Sequence, residues 1–314
     1  MNQSINSLYR KYRPTKFSEI VGQQHIVKTL QNQIKNDSVN HAYLFYGTRG
    51  TGKTTIAKIL ARSLAEPTDI FELDAASYNS VDNVREIIEK TKYPPSFSKY
   101  KVYIIDEVHM FSGAAFNAFL KTLEEPPSHI IFILCTTEPH KLPQTILSRV
   151  LRFDFRPISN IELEKHLAGI LKKEGIEYED SAIKMIINEG RGSVRDSLSL
   201  AESVLAFDKK VTQVNVEQVL GKVNSGTIQA LIKSVLEKNI DQTMKTTEQI
   251  LSGGNNVISI LQDVLREIKS EFIKTKNNEL VKIYKIFADI EMNLKTSVDP
   301  KTMFEGACLI AIAG

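Results

Sequence analysis

Cysteine is nearly missing from this chain: Cys135 and Cys308 are the only two in 314 residues. Two sulfurs so far apart build neither a disulfide framework nor a cysteine-based zinc module, and a reducing compartment is the default. Excess charge is equally scarce. Lys and Arg total 40 against 37 Asp and Glu, a formal net charge of +3, which by itself argues for neither nucleic acid nor membrane. A nucleic-acid site must therefore be a local patch, or must use backbone amides and helix ends. Long apolar runs are absent as well. No stretch approaches the length of a membrane span, and the opening MNQSINSLYRKYRP lacks the apolar core of a leader. These absences predict a cytoplasmic chain without a membrane partner.

What remains is an ordinary globular composition, 42% hydrophobic and 25% charged, long enough for two or three domains. Up to about Pro157, short apolar strands alternate with amphipathic helices. HAYLFYG, IFELDA, KVYIIDE, IIFILCTT and LRFDF read as strands; GKTTIAKILARSLA, VDNVREIIEKTK and GAAFNAFLKTLEE read as helices between them. That alternation predicts an α/β domain over 1–157, a parallel sheet with helices on its faces. The near-continuous apolar runs VYII and IIFIL suit strands buried on both sides. After FRPISN the strands stop. Ser159 and Glu162 have capping-box spacing and open a small helical unit over 158–223. From Ser225 five longer helical segments follow, broken at Asn239, at Gly253-Gly254-Asn255, near Asn277-Asn278 and at Asp299-Pro300; they make a third region, 224–314. Its last segment, PKTMFEGACLIAIAG, is apolar enough for a core or subunit-contact helix.

Gly47-Thr48-Arg49-Gly50-Thr51-Gly52-Lys53-Thr54, with Thr55 next, fits G-x-x-x-x-G-K-[ST] and stands between a strand and a helix. Glycines remove Cβ atoms, so consecutive N–H groups can curl around phosphate oxygens, aided by the positive end of the following helix. Lys53 is placed to reach the β- and γ-phosphates, and the Thr54 hydroxyl to ligate magnesium. VYIIDE supplies the carboxylates. Asp106, where a buried strand emerges, is a candidate to hold magnesium through water; Glu107 is a candidate to orient and deprotonate an attacking water. A lone Asp-Glu after a strand says little, but beside a phosphate loop it says much. Glu107→Gln is expected to keep nucleotide binding and lose hydrolysis. At the end of IIFILCTT, Thr137 can hydrogen-bond that water or the γ-phosphate, although strand ends favour threonine for β-propensity alone.

These pieces resemble, in this order, the gamma/tau family of bacterial clamp-loader ATPases. YRKYRPTKFSEIVGQQHI, HAYLFYGTRGTGKTT, IDEVHMFS, AFLKTLEEPP, TTEPHKLPQTILSRV and GSVRDSLSL carry the resemblance, over roughly residues 7–222. It implies an AAA+ fold with a five-strand parallel sheet, a three-helix lid, and a helical collar through which five subunits form an open ring. It implies ATP and magnesium as cofactors. By the same analogy Thr137 falls on the sensor-1 position. Arg149 falls on the arginine that completes a neighbour's ATP site, and Arg195 on the lid arginine that touches its own subunit's nucleotide. Tyr9 to Pro14 and Ile20 to Gly22 would form the adenine pocket, with Tyr9, Arg13, Pro14, Val21 and Gly22 as its binding residues. The implied activity is ATP hydrolysis coupled to loading a sliding clamp onto primed DNA, within a polymerase holoenzyme whose polymerising subunit is another chain.

Physics makes the arginine roles sensible. A phosphoryl transition state spreads negative charge, and an arginine supplied in trans couples hydrolysis to assembly. Taken alone, Arg149 would read as an ordinary surface ion pair. Arg195 lies in the first turn of a helix, where a cation opposes the dipole, which hints at a partner of opposite charge. Two departures from the family matter. ARSLAEPTDIFELDAAS runs through the place of its four-cysteine zinc module without a cysteine, so no zinc is expected. The family's Ser-Arg-Cys is here Ser148-Arg149-Val150, which keeps the arginine.

For DNA, the resemblance points to Ser77–Val84 and Ser112-Gly113. SYNSVDN can donate to phosphates, and reads equally well as a solvated turn capping the next helix. Phosphate contacts would give little sequence preference and strong salt dependence; Arg85 and Lys121 are the nearby cations. His109 has no evident metal partners and is expected to pack near the strand end, and Cys135 to be core. Two rivals stand: another AAA+ machine such as a branch-migration helicase, which clamp pull-down would separate, and a scaffold subunit without activity. The SRV placement, the EEPP turn and the helical third region argue against the first. Intact Lys53, Thr54, Asp106 and Glu107 argue against the second.

Overall fold

A computed structural model describes residues 7–253, 256–294 and 296–313. Five strands, β1 Ala42–Gly47, β2 Ile70–Asp74, β3 Lys101–Asp106, β4 Ile130–Thr136 and β5 Leu151–Phe155, form one parallel sheet in the order β2-β3-β4-β1-β5. The sequence predicts all five, and β5 coincides with LRFDF. Strand order puts β4 between β1 and β3, so the ends of all three meet at one edge of the sheet, where ligands of open α/β folds bind.

Alternation along the strands builds two cores. Tyr43, Phe45, Ile104 and Ile133 face one way, with α2 Gln24–Lys35 and α3 Lys53–Leu64. Leu44, Tyr103, Ile105 and Phe132 face the other, with α4 Val81–Thr91 and α5 Gly113–Glu124. Every residue of β4 is buried, as expected for a central parallel strand. Each such buried Phe, Ile or Leu contributes about 1.5–3 kcal/mol over leaving it exposed. Phe119 of α5 meets Phe132 edge-on at 4.8 Å. Short helices α1 Leu8–Lys11 and α6 Gln144–Leu147 complete this part.

Helices α7 Asn160–Lys173, α8 Asp180–Gly190 and α9 Val194–Phe207 follow. Ser159 caps α7, but the predicted box is only half formed. Its hydroxyl accepts the Glu162 N–H at 3.4 Å, while the Glu162 carboxylate takes the Ser159 hydroxyl rather than the Ser159 N–H. The chain divides into two compact units within α9, after Ser203.

The second unit holds α10 Gln213–Val219, α11 Ser225–Leu236, α12 Ile240–Ser252, α13 Val257–Thr275, α14 Glu279–Asp289, the short α15 Glu291–Leu294 and α16 Pro300–Ala313. Asn239 caps α12 by accepting Gln242 N–H, Asn278 precedes α14 and Pro300 opens α16, as the breaks predict. Gly254 and Asn255 lie outside the described residues. The break at Ile290, which splits α14 from α15, has no Gly or Pro to announce it. Phe304, Ala307, Cys308, Ala311 and Ile312 of α16 enter the core, while Leu309 and Ile310 of the same helix are exposed. No described helix is long and apolar enough to cross a membrane.

Candidate functional site

The glycine-rich loop leaves β1 and delivers its last residues into α3. Gly52, at φ +103°, is the residue before that helix, a backbone that side chains with a Cβ disfavour. Gly50, at φ +75°, is constrained from outside as well, because a Cβ there would lie 1.9 Å from Ser193 Oγ. Lys53 is buried, and its ammonium donates to the carbonyls of Gly47 and Thr48, both at 2.9 Å. Burial lowers its pKa, against the pull of the Glu107 and Asp106 carboxylates.

The carboxylates arrive from β3. Thr54 Oγ1 donates to Asp106 Oδ2 at 2.8 Å, and Asp106 Oδ1 accepts the Glu107 N–H at 3.1 Å. Glu107 leaves the strand at φ +49°, ψ +44°, an unusual backbone for a residue with a Cβ that functional sites often retain. Its Oε2 accepts both from Thr137 N–H at 3.3 Å and from Thr137 Oγ1 at 3.1 Å. The pairing of Glu107 with Thr137 follows from β4 lying beside β3.

A cleft of about 1070 Å³ joins these groups. The loop from Thr48 to Thr55, with Asp106, Glu107 and Thr137, lines one part. Tyr9, Arg13, Pro14 and Val21 from the N-terminal segment and Arg195 from α9 line another. Thus most of the residues singled out in the sequence meet in one place. Gly22, Gly47 and Arg149 do not line it. A Cβ on Gly22 would meet the Ile158 side chain at 3.3 Å, and Gly47 offers its carbonyl to Lys53. Arg149 lies elsewhere, donating to Glu124 Oε1 and to the Thr145 carbonyl, each at 2.6 Å.

Sequence reasoning missed the cleft residues Ile158, His166, Val194 and Leu198. His166 sits within α7, and burial, then Lys173, lower its pKa. It also missed Gln23, a buried amide that donates to the Arg156 carbonyl at 2.7 Å and reaches the Thr51 carbonyl at 3.4 Å. Gln23, Val194 and Leu198 lie within stretches that carry the resemblance, but nothing local marks them or Ile158 and His166 as cleft residues; only their spatial neighbours do. The N-terminal segment is tied down around the cleft. The Tyr9 ring lies 5.0 Å from the Arg195 guanidinium, Arg13 Nε donates to Thr55 Oγ1 at 3.3 Å, and both Lys11 and the Tyr12 hydroxyl bind Glu174 at the end of α7. His109 packs near the strand end as expected, and Cys135 is fully buried core whose thiol pKa burial pushes up.

Thr54 and Asp106 present a hydroxyl and a carboxylate, hard oxygen donors of the kind magnesium takes, usually with waters and substrate phosphates completing its shell. Among the described residues no group of three His, Cys, Asp or Glu could hold a metal alone.

Comparisons with known proteins agree with this geometry. Residues 22–75 and 67–159 match the family model described as DNA polymerase III, delta subunit. Residues 162–209 match the clamp loader subunit ATPase lid domain of DNA polymerase III, and 223–309 the Replication factor C C-terminal domain. The DNA polymerase III subunit gamma of Buchnera aphidicola subsp. Baizongia pistaciae is 36% identical over 316 residues, 93% of this chain and 82% of that one. The chain belongs to the DNA polymerase III gamma/tau family. The tau subunit of Bacillus subtilis is 42% identical over 285 residues, 83% of this chain and 51% of that protein; for the Haemophilus influenzae tau/gamma subunit the latter share is 42%. The chain therefore spans about half the length of these longer members of the family. Among solved structures, the Thermotoga maritima RuvB Holliday junction branch migration motor shares 21% identity at a TM-score of 0.56, over 72% of this chain and 80% of that one. That likeness is one of fold: an AAA+ module with its lid, to which this gamma/tau chain adds an all-helical third region.

Proposed function

We propose that the chain is an ATPase subunit of the DNA polymerase III clamp loader, in which ATP binding and hydrolysis open the sliding clamp and load it onto primed DNA during replication. The observation that carries the proposal is the convergence of Lys53, Thr54, Asp106, Glu107 and Thr137 in one cleft at the sheet edge. In this reading the loop amides and Lys53 grip the triphosphate, and Thr54 with Asp106 holds magnesium. When bound, the ion neutralises developing phosphate charge. Glu107, its Oε2 held by Thr137, orients the attacking water and takes its proton. The adenine rests among Tyr9, Arg13, Pro14, Val21 and the backbone about Gly22, and Arg195 reaches the nucleotide from the lid.

Arg149 acts on a neighbouring subunit. Its place outside the lining of its own chain's cleft supports that role, whereas its ion pair with Glu124 is what an ordinary surface arginine also makes. The three working parts are 1–157, 158–223 and 224–314; the separate family matches at 162–209 and 223–309 support them. The partners are the other subunits of a ring of five, the clamp, and primed DNA held without sequence preference. Ser80 caps α4, Ser112 caps α5, and Ser112 N–H donates to the Asn79 carbonyl at 3.2 Å. Two helix starts thus lie side by side, a form suited to phosphates. The reading includes no zinc and places the chain in the cytoplasm.

The test is ATP turnover by the assembled complex, with and without clamp and primed DNA, repeated with Arg149→Ala. Stimulation by clamp and DNA, and loss of about a thousandfold at the affected site without the arginine, is the expected result. A chain that takes up no nucleotide, alone or assembled, would overturn the function. Unchanged turnover in Arg149→Ala would overturn the role in trans.

A further inference from the structure

Beside Glu107 stands a group that no motif reading gave a role. His109 follows it by two residues, in a 3-10 turn over Val108–Met110, and its side chain is only 7% exposed. The ring is strung between two carboxylates. Nδ1 lies 3.3 Å from Glu107 Oε2, and Nε2 lies 3.2 Å from Glu138 Oε1. Nδ1 also lies 3.0 Å from Thr136 Oγ1, which accepts the Glu138 N–H at 3.0 Å. Glu138 is itself held by Lys141 at 2.9 Å, with His140 at 3.6 Å. The imidazole is therefore fixed at both ends, by the exit of β4 and by the turn after it.

We propose that His109 is a positioning residue for Glu107, setting the orientation of the carboxylate that activates water; this deepens the proposed function and rests on its assignment of Glu107. Either ring nitrogen can carry the proton. With a proton on Nδ1, that N–H hydrogen-bonds Thr136 Oγ1, and its positive end, 3.3 Å from Glu107 Oε2, adds attraction to the two donors from Thr137. With the proton on Nε2, that nitrogen lies 3.2 Å from Glu138 Oε1, Nδ1 accepts from the buried Thr136 hydroxyl, and the electron-rich Nδ1 stands 3.3 Å from Glu107 Oε2. Like partial charges then press the carboxylate toward the Thr137 donors. In both forms every contact falls on Oε2; among the described residues Oε1 accepts no hydrogen bond, so one oxygen is anchored and the other is left to take a proton. A base misplaced by an ångström loses much of its effect.

The experiment measures kcat, KM and nucleotide affinity in the assembled complex with clamp and primed DNA. The variants are His109→Ala, His109→Asn, Glu107→Gln and the double variant His109→Ala/Glu107→Gln. His109→Ala is expected to lower kcat about tenfold or more, within the range of a general-base contribution, while KM and affinity for a fluorescent ATP analogue stay within about twofold. Asparagine, whose amide overlies the Nδ1 position, should restore most of kcat. The double variant should be no slower than Glu107→Gln, because groups acting through one another are not additive. Parental kcat in His109→Ala, or a full further loss in the double variant, would overturn the inference. So would His109→Asn as slow as His109→Ala at equal melting temperature. If Glu107→Gln itself still turned over, the assignment of the base would fail first, and that outcome is separate from a failure at His109.

Discussion

The Val194 N–H donates to the Gly50 carbonyl at 3.1 Å, and Ser193 Oγ fills the space where a Gly50 Cβ would stand. The glycine-rich loop and the start of the helix bearing Arg195 are thus in direct contact through one glycine. A change in the loop at Gly50 therefore acts directly on the start of the helix that carries Arg195.

That contact makes Gly50→Ala a sharp test. A residue with a Cβ pays about 1–2 kcal/mol for left-handed backbone, and here it must also displace Ser193. ATP affinity should fall about tenfold or more, and Gly50→Ala/Ser193→Gly should recover part of the loss by clearing the space. Affinity equal to the parent's in equilibrium titration would show that the loop and lid are not packed as described.

Asp106→Asn tests the proposed magnesium site. Its Oδ2 takes the Thr54 hydroxyl and its Oδ1 the Glu107 N–H, so the neutral amide should keep the local fold while losing the charge that, on the proposed function, holds the ion. Nucleotide binding in EDTA should be nearly unchanged, and the gain on adding magnesium should be small. A parental magnesium response in a fluorescent ATP titration would remove Asp106 from the site.

Asp69 gives a dependence on pH. Its carboxylate accepts N–H groups from Ser96, Phe97 and Ser98 at 2.7, 3.0 and 3.0 Å. Burial alone would raise its pKa, but these donors outweigh it and hold the group below the ordinary value. A folded pKa below the unfolded one, about 3.9, means stabilisation that is complete above that pH and is lost as pH falls through the folded value. The melting temperature of Asp69→Asn should therefore lie below the parent's at pH 7, with the gap closing in acid. A gap that stays constant down to pH 3 would contradict the role given to these three hydrogen bonds.

Tyr103 is the opposite case. Its hydroxyl is buried, finds no hydrogen-bond partner among the described residues, and has its pKa pushed by burial up to about 12. The ring stacks on Phe71 at 5.1 Å and packs on Phe132 at 5.6 Å, contacts that phenylalanine keeps. Tyr103→Phe should leave stability unchanged or raise it by about 1 kcal/mol in chemical denaturation. A clear loss would mean that the hydroxyl has a partner.

By itself the sequence determined whatever depends on neighbours along the chain. The apolar runs of β3 and β4, the glycines that free the loop backbone, and the Asn and Ser residues that cap α12, α7 and α5 are local chemistry, readable wherever it occurs. Lys53, Thr54, Asp106 and Glu107 were legible for the same reason, since each sits at a set distance from a strand or helix end. Only the tertiary structure decided the pairings across long stretches: β4 between β1 and β3, which sets Thr137 on Glu107; Ser193 against Gly50; Gln23 under the loop; His109 between Glu107 and Glu138. The physical reason is that such contacts follow from packing and strand order, and many different sequences would carry the same local pattern into different arrangements.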